Sequence, residues 1–125
     1  MSTLMDWARA LQNADGSEEL LLELAEVFIA ECPEMMRQLR AAIDGRDMRE
    51  LQRTAHSLKG SARIFAAPAA TDAAFRLEAM GADGDLRHAD DAWAILRFEI
   101  DGLVRALTAK VQGQGSNEAS NAHNS

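Results

Sequence analysis

His56 is the residue of this chain whose type and setting are best suited to chemistry. With about 100° of rotation per helical residue, the apolar residues around it fall on one stripe, and His56 projects roughly 140° away from its centre. We therefore expect the imidazole to face solvent, where a neutral ring nitrogen can act as a nucleophile. The stripe consists of Leu51, Ala55, Leu58, Ala62 and Phe65.

Basic and polar side chains share the helix face on which His56 lies. Lys59 and Gly60 follow it by three and four residues, which places a cation and a position without a side chain beside the imidazole. An imidazole that attacks an acyl phosphate becomes a phosphohistidine. The cation can offset the charge of that phosphoryl group. Glycine costs a helix about 1 kcal/mol relative to alanine, a cost that is understandable if a partner must approach closely. Three arginines and one glutamine complete the face as a rim that suits an acidic partner: Arg49, Gln52, Arg53 and Arg63.

Composition argues against several classes of protein. The 125 residues carry 20 acidic and 13 basic side chains, and a net charge of −7 disfavours bulk attraction to nucleic acid or to an anionic membrane. A single cysteine, Cys32, excludes an internal disulfide and a four-cysteine zinc site. No apolar run approaches the roughly 18 residues that span a bilayer, and no signal-peptide pattern opens the chain. We therefore expect a cytoplasmic protein.

The first two of four long helices have clear boundary signals. Ser17 is predicted to cap the first, and Gly45 to end it, with Pro33 kinking the helix or loosening one turn. Asp47 and Glu50 have the spacing of a capping box, which predicts the start of the His56 helix.

The last two helices are also marked by their boundaries. Pro68 ends the His56 helix and suits the first turn of a shorter, alanine-rich helix that closes at Gly81 to Gly84. Asp85 is predicted to cap the last helix, whose apolar residues alternate in steps of three and four without a break. Such a seam is typical of an antiparallel bundle.

The predicted fold class is therefore all-α. Residues 1–111 are expected to form an antiparallel up-down four-helix bundle with a short N-terminal helical extension over residues 3–11. Residues 112–125 contain almost nothing apolar, which predicts a disordered polar tail.

One segment resembles a known family closely. The run His56-Ser57-Leu58-Lys59-Gly60-Ser61-Ala62, followed by Leu77-Glu78 and Gly81, resembles the histidine-containing phosphotransfer (HPt) domain of bacterial multistep phosphorelays. The resemblance extends over roughly Leu4 to Leu107. It implies a monomeric four-helix bundle in which His56 accepts a phosphoryl group, Lys59 stabilises that group and Gly60 admits a receiver domain.

The resemblance also implies what the chain lacks. No catalytic machinery and no cofactor or metal of its own are expected, because the aspartate and the magnesium belong to the partner receiver domain. Two positions depart from the family pattern. Ala66 stands where the family usually has glycine, and Ala70 where it often has leucine.

Two functional hypotheses from different classes follow. In the first, the chain is a phosphorelay intermediate that passes a phosphoryl group between response-regulator receiver domains, free-standing or as part of a hybrid sensor histidine kinase. In the second, it is a degenerate HPt-like bundle that binds a partner or scaffolds a kinase without being phosphorylated. An enzyme is disfavoured, since the sequence has no Gly-rich phosphate cradle.

Overall fold

Four long helices and one short one make up the described part of the chain. The structure is a computed structural model that describes residues 4–124, with side chains described as far as Gly113. Its helices are α1 (Trp7–Asn13), α2 (Glu18–Asp44), α3 (Met48–Ile64), α4 (Pro68–Asp83) and α5 (Ala89–Asn124). Each of α2 to α5 packs on two neighbours, in the ring α2, α3, α4, α5, and α1 packs on α2. The all-α bundle predicted from the sequence is confirmed.

The predicted tail, residues 112–125, lies almost wholly outside the described side chains. The boundary at residue 111 and the disorder of the tail therefore stay predictions.

Most helix boundaries follow the signals in the sequence. Ser17 caps α2 by accepting a hydrogen bond from the Leu20 N–H, and Gly45 is its C-cap. Asp47 caps α3 by accepting one from the Glu50 N–H at 3.1 Å. The reciprocal half of that capping box is absent, because the Glu50 carboxylate binds Arg53 instead.

Two boundaries differ from the prediction. The last helix begins at Ala89, because Asp85 accepts its hydrogen bond from the Arg87 N–H and closes a local turn instead of capping α5. The first helix begins at Trp7 instead of near residue 3, because the Asp6 carboxylate accepts from the Arg9 N–H and acts as its N-cap.

The predicted stripe of α3 forms the centre of the core. Its five apolar residues are each at most 1% exposed, which confirms that His56 lies on the opposite face. Burying each large apolar side chain contributes about 1.5–3 kcal/mol. Phe65, the last of them, packs on Phe28 of α2 with ring centroids 5.4 Å apart.

Helices α3 and α4 lie close together at Gly81. A Cβ there would lie 2.8 Å from the Gln52 nitrogen and 2.9 Å from the Met48 oxygen, both backbone atoms that cannot move aside easily. The absence of a side chain at this position therefore sets the separation of the two helices.

Helix α1 covers the C-terminal end of α3. The Asn13 side-chain amide donates to the Ile64 carbonyl at 2.9 Å, and the Asp6 N–H donates to the Ala66 carbonyl at 3.0 Å. Carbonyls at the end of a helix have no intrahelical donor, so α1 supplies the partners that α3 lacks.

Ala66 is a point of backbone strain. The N–H groups of Ala66 and Ala67 donate to the Arg63 and Ala62 carbonyls, which is the Schellman arrangement that ends many helices. This arrangement requires a left-handed residue, and Ala66 has a φ of 51°. A Cβ in that conformation costs about 1–2 kcal/mol, which explains why glycine suits this position.

Replacing Ala66 by glycine should therefore stabilise the protein. The relief of strain exceeds the added conformational entropy of the unfolded chain, so we expect the free energy of unfolding to rise by about 0.5–1 kcal/mol. Urea unfolding followed by circular dichroism measures the change. Ala94→Gly, at an exposed position inside α5, is the control and should destabilise by about 1 kcal/mol. A loss of stability in Ala66→Gly would contradict the strain argument.

Candidate functional site

A histidine and a carboxylate meet across the packed helices α3 and α4. His56 lies in the middle of α3 with 67% of its side chain exposed, and its Nδ1 lies 2.6 Å from Oε2 of Glu78 on α4. Glu78 itself is only 15% exposed. The imidazole therefore reaches solvent, while its Nδ1 contacts the Glu78 carboxylate.

The second oxygen of the same carboxylate binds a lysine. Lys59 Nζ lies 2.6 Å from Glu78 Oε1, and the lysine side chain is only 13% exposed. Oε1 is closed to solvent and has no partner with hydrogen-bond geometry. Its contact with the Lys59 ammonium is therefore an ion pair and not a well-directed hydrogen bond. Glu78 thus joins His56 and Lys59 into one cluster.

The electrostatics of the cluster favour an ionised Glu78. The Lys59 ammonium, the largest influence, lowers the pKa of the Glu78 carboxyl below its usual value. Partial burial opposes this shift, and the contact with His56 adds to it. The carboxyl therefore stays negatively charged at neutral pH.

An ionised carboxylate determines which imidazole nitrogen carries the proton. A carboxylate can only accept hydrogen bonds, so the His56 Nδ1 must be the donor. In the neutral ring, the proton on Nδ1 leaves the lone pair on Nε2. The nitrogen that is free to react is therefore the one pointing away from Glu78.

The predicted neighbours of His56 are placed in different ways. A Cβ added to Gly60 would meet nothing within 4 Å, so the surface one turn beyond His56 is open. The rim residues Arg49, Gln52, Arg53 and Arg63 are exposed on α3, as predicted. Arg53 lies 2.6 Å from Glu50, which neutralises part of the basic rim.

Glu78 is the residue of the cluster that the sequence did not identify. It belongs to the Leu77-Glu78 pair that carries the family resemblance, yet no role could be assigned to it. It lies 22 residues beyond His56, so only the packing of α4 on α3 brings them together. The one usable signal was its position three residues before Gly81, where α4 lies close to α3.

Two structural features are absent from the described part of the chain. Within it, no helix is long and apolar enough to cross a membrane. In the same residues, no group of three or more His, Cys, Asp or Glu side chains is placed to hold a metal ion.

A comparison with known protein families shows to which family the chain belongs. The family model described as the Hpt domain matches residues 23–112, well over half of the chain. The chain belongs to the Hpt domain family. No curated protein matches it significantly. An Hpt domain is a phosphotransfer carrier, and its role in two-component signalling is histidine phosphotransfer within a phosphorelay.

Two solved structures share the fold of this Hpt domain. Histidine-containing phosphotransfer protein B from Pseudomonas aeruginosa PAO1 superposes with a TM-score of 0.81 at 22% identity, over 90% of this chain and 97% of that one. The HPT domain of a sensor hybrid histidine kinase from Shewanella gives a TM-score of 0.79 at 17% identity, over 88% and 95% of the two chains. At these identities, the similarity establishes the fold.

Removal of the Glu78 charge should change how stability depends on pH. Because the folded state lowers the pKa of this carboxyl, its contribution is complete above the unfolded value of about 4.3 and is lost as the pH falls through the lower folded value. Glu78→Gln also leaves the Lys59 ammonium without its partner. We expect it to lower the free energy of unfolding by about 1–3 kcal/mol at pH 7, with a smaller difference from the unmodified protein below pH 4.

Urea unfolding at a series of pH values between 3 and 7 measures both effects. Glu26→Gln, at an exposed position on α2, is the matched control and should change stability by less than about 0.5 kcal/mol. A difference between Glu78→Gln and the unmodified protein that stays the same from pH 3 to pH 7 would rule out the ionised cluster.

Proposed function

We propose that His56 is the phosphoacceptor of a phosphorelay intermediate, which takes a phosphoryl group from one receiver-domain aspartate and passes it to another. The single observation that supports this most is the 2.6 Å contact between His56 Nδ1 and the Glu78 carboxylate beneath an exposed ring. It turns a surface histidine into a histidine with one oriented, unprotonated nitrogen.

The chemistry at His56 needs no additional base on this chain. The Nε2 lone pair attacks the phosphorus of the aspartyl phosphate, an N–P bond forms, and the P–O bond to the aspartate breaks to release its carboxylate. The proton on Nδ1 stays in place, so the ring becomes positively charged as the new bond forms. The negative Glu78 carboxylate at 2.6 Å stabilises that charge. The reverse sequence returns the group to the next receiver.

Lys59 and Gly60 serve the incoming partner. The Lys59 ammonium binds Glu78 in the resting protein. It has three donor hydrogens, so it can also offset charge on a phosphoryl group held at His56. The open surface at Gly60 gives the receiver aspartate access to Nε2. The exposed rim of Arg49, Gln52, Arg53 and Arg63 orients an acidic receiver surface.

The partner receiver domain supplies most of the catalysis. In this proposal, the chain holds no cofactor, and the magnesium ion and the aspartate are supplied by the receiver domain. The partners are response-regulator receiver domains and a hybrid sensor histidine kinase, and the chain acts as a cytoplasmic monomer without its own enzymatic activity.

The second hypothesis, a degenerate bundle that only binds or scaffolds a kinase, has less support. The departure from the family pattern at Ala66 is the sequence feature that favours it, but the strain at Ala66 lies beyond the end of α3 and not in the cluster around His56. His56, Lys59 and Glu78 make a complete arrangement that a non-phosphorylated scaffold would not require.

His56→Gln should abolish phosphoryl acceptance while preserving the fold. We expect a single acid-labile phosphoryl adduct on the unmodified protein after incubation with phosphoramidate, and none on the variant, as seen by intact-mass spectrometry. Since the side chain is 67% exposed, its stability should change by less than about 0.5 kcal/mol. His88→Gln, at another exposed histidine, is the control and should keep the adduct. An adduct that persists in His56→Gln would refute the proposal.

Gly60→Ala should separate the receiver's approach from the chemistry of the ring. Alanine is the better helix former and its Cβ meets no atom within 4 Å, so we expect stability to rise by up to about 1 kcal/mol. Phosphorylation by phosphoramidate should stay unchanged, because that donor is small. Transfer from a phosphorylated receiver domain should slow at least tenfold. Equal rates with the receiver for both proteins would show that Gly60 is not an entry point.

A further inference from the structure

Phe75 is an exposed aromatic side chain beside the His56 cluster. It lies on α4, three residues before Glu78, and is 56% exposed. Lys59 Nζ lies 5.1 Å from the centroid of its ring, which is within the range of a cation–π contact. The Lys59 ammonium is therefore held between the Phe75 ring and the Glu78 carboxylate.

We propose that Phe75 is a positioning residue for phosphoryl acceptance: its ring holds the Lys59 ammonium against Glu78, and Glu78 in turn fixes His56. The proposal rests on the function proposed above and adds a residue that does not touch the reacting atoms. Phe75 acts indirectly, through the ion pair of Lys59 and Glu78.

The burial of Lys59 supports this role. A lysine on the solvent side of a helix normally extends into water, and its flexible stem loses much rotamer freedom when it is held in one place. Lys59 is nevertheless only 13% exposed. Attraction to the face of an aromatic ring offsets that loss.

A change at Phe75 also affects the ion pair of Lys59 and Glu78. Glu78 Oε1 is closed to solvent and faces Lys59. A given ion pair is roughly fourfold weaker in water than at an effective dielectric constant of about 20. Loss of the ring would admit water to the pair and free the ammonium, so the carboxylate would orient the His56 Nδ1–H less strictly.

A second exposed phenylalanine shows that the arrangement at Phe75 is specific. Phe98 lies on α5 and is 70% exposed. Among the described side chains, no cation lies over its ring, whereas Phe75 has Lys59. Phe98 is therefore a matched control of the same residue type and similar exposure.

The test compares Phe75→Ala with Phe98→Ala, using phosphoramidate as the donor and intact mass as the readout. We expect Phe75→Ala to slow phosphorylation of His56 about three- to tenfold and Phe98→Ala to leave the rate unchanged. The small donor has no docking surface, so a slower rate reports on the ring and not on partner binding. Phe75→Trp, which restores a π face, should recover the rate, whereas Phe75→Leu, which restores only apolar cover, should not.

A second readout is independent of phosphorylation. The ¹⁵N chemical shifts of the His56 ring report which nitrogen carries the proton, and Phe75→Ala should reduce the population protonated on Nδ1 in the neutral ring. If the unmodified protein accepts no phosphoryl group, the proposed function fails, yet these shifts still test the positioning role. If Phe75→Ala does not fold, Phe75→Leu is used for the same comparison.

Three results would overturn the proposal. The first is a phosphoramidate rate for Phe75→Ala within twofold of the unmodified protein. The second is an unchanged pattern of His56 ring shifts. The third is an effect confined to KM with a receiver-domain donor, which would make Phe75 a docking contact.

Discussion

The Glu78 carboxylate is the group on which the rest of the site depends. One of its oxygens accepts from His56 Nδ1 and the other faces the Lys59 ammonium, both at 2.6 Å. A carboxylate that is 15% exposed keeps its charge only if cations or donors compensate for the lost water. Its two neighbours satisfy that requirement, and in doing so they acquire fixed positions and, for the imidazole, a fixed proton.

The bundle holds two helices at the distance that this carboxylate needs. Helix α3 supplies His56 and Lys59, helix α4 supplies Glu78, and the bare backbone at Gly81 lets the two helices approach closely. Donors on and next to helix α1 bind the free carbonyls at the end of α3. These hydrogen bonds hold the C-terminus of the helix that carries His56. The outer side of the imidazole remains open to solvent.

Much of this could be predicted, because the local signals are strong. The alternation of apolar residues located the α3 stripe, and Ser17, Asp47 and Pro68 marked helix starts that the structure confirms. The prediction was wrong at Asp85, whose carboxylate binds the neighbouring Arg87 instead of capping the helix. Side chains of this type bond to several nearby backbone groups with similar energy, so spacing alone does not choose between a cap and a turn.

The sequence by itself determined the helices, the exposure of His56 and the family, because helical periodicity and a short motif are local properties of the chain. Only the tertiary structure decided which nitrogen of His56 is free and where the Lys59 ammonium lies. Both depend on Glu78, which is 22 residues away along the chain. Its distance from His56 is set by the packing of α3 on α4 and by the atoms that a side chain at Gly81 would displace. Such distances arise from the whole core, and no local pattern encodes them.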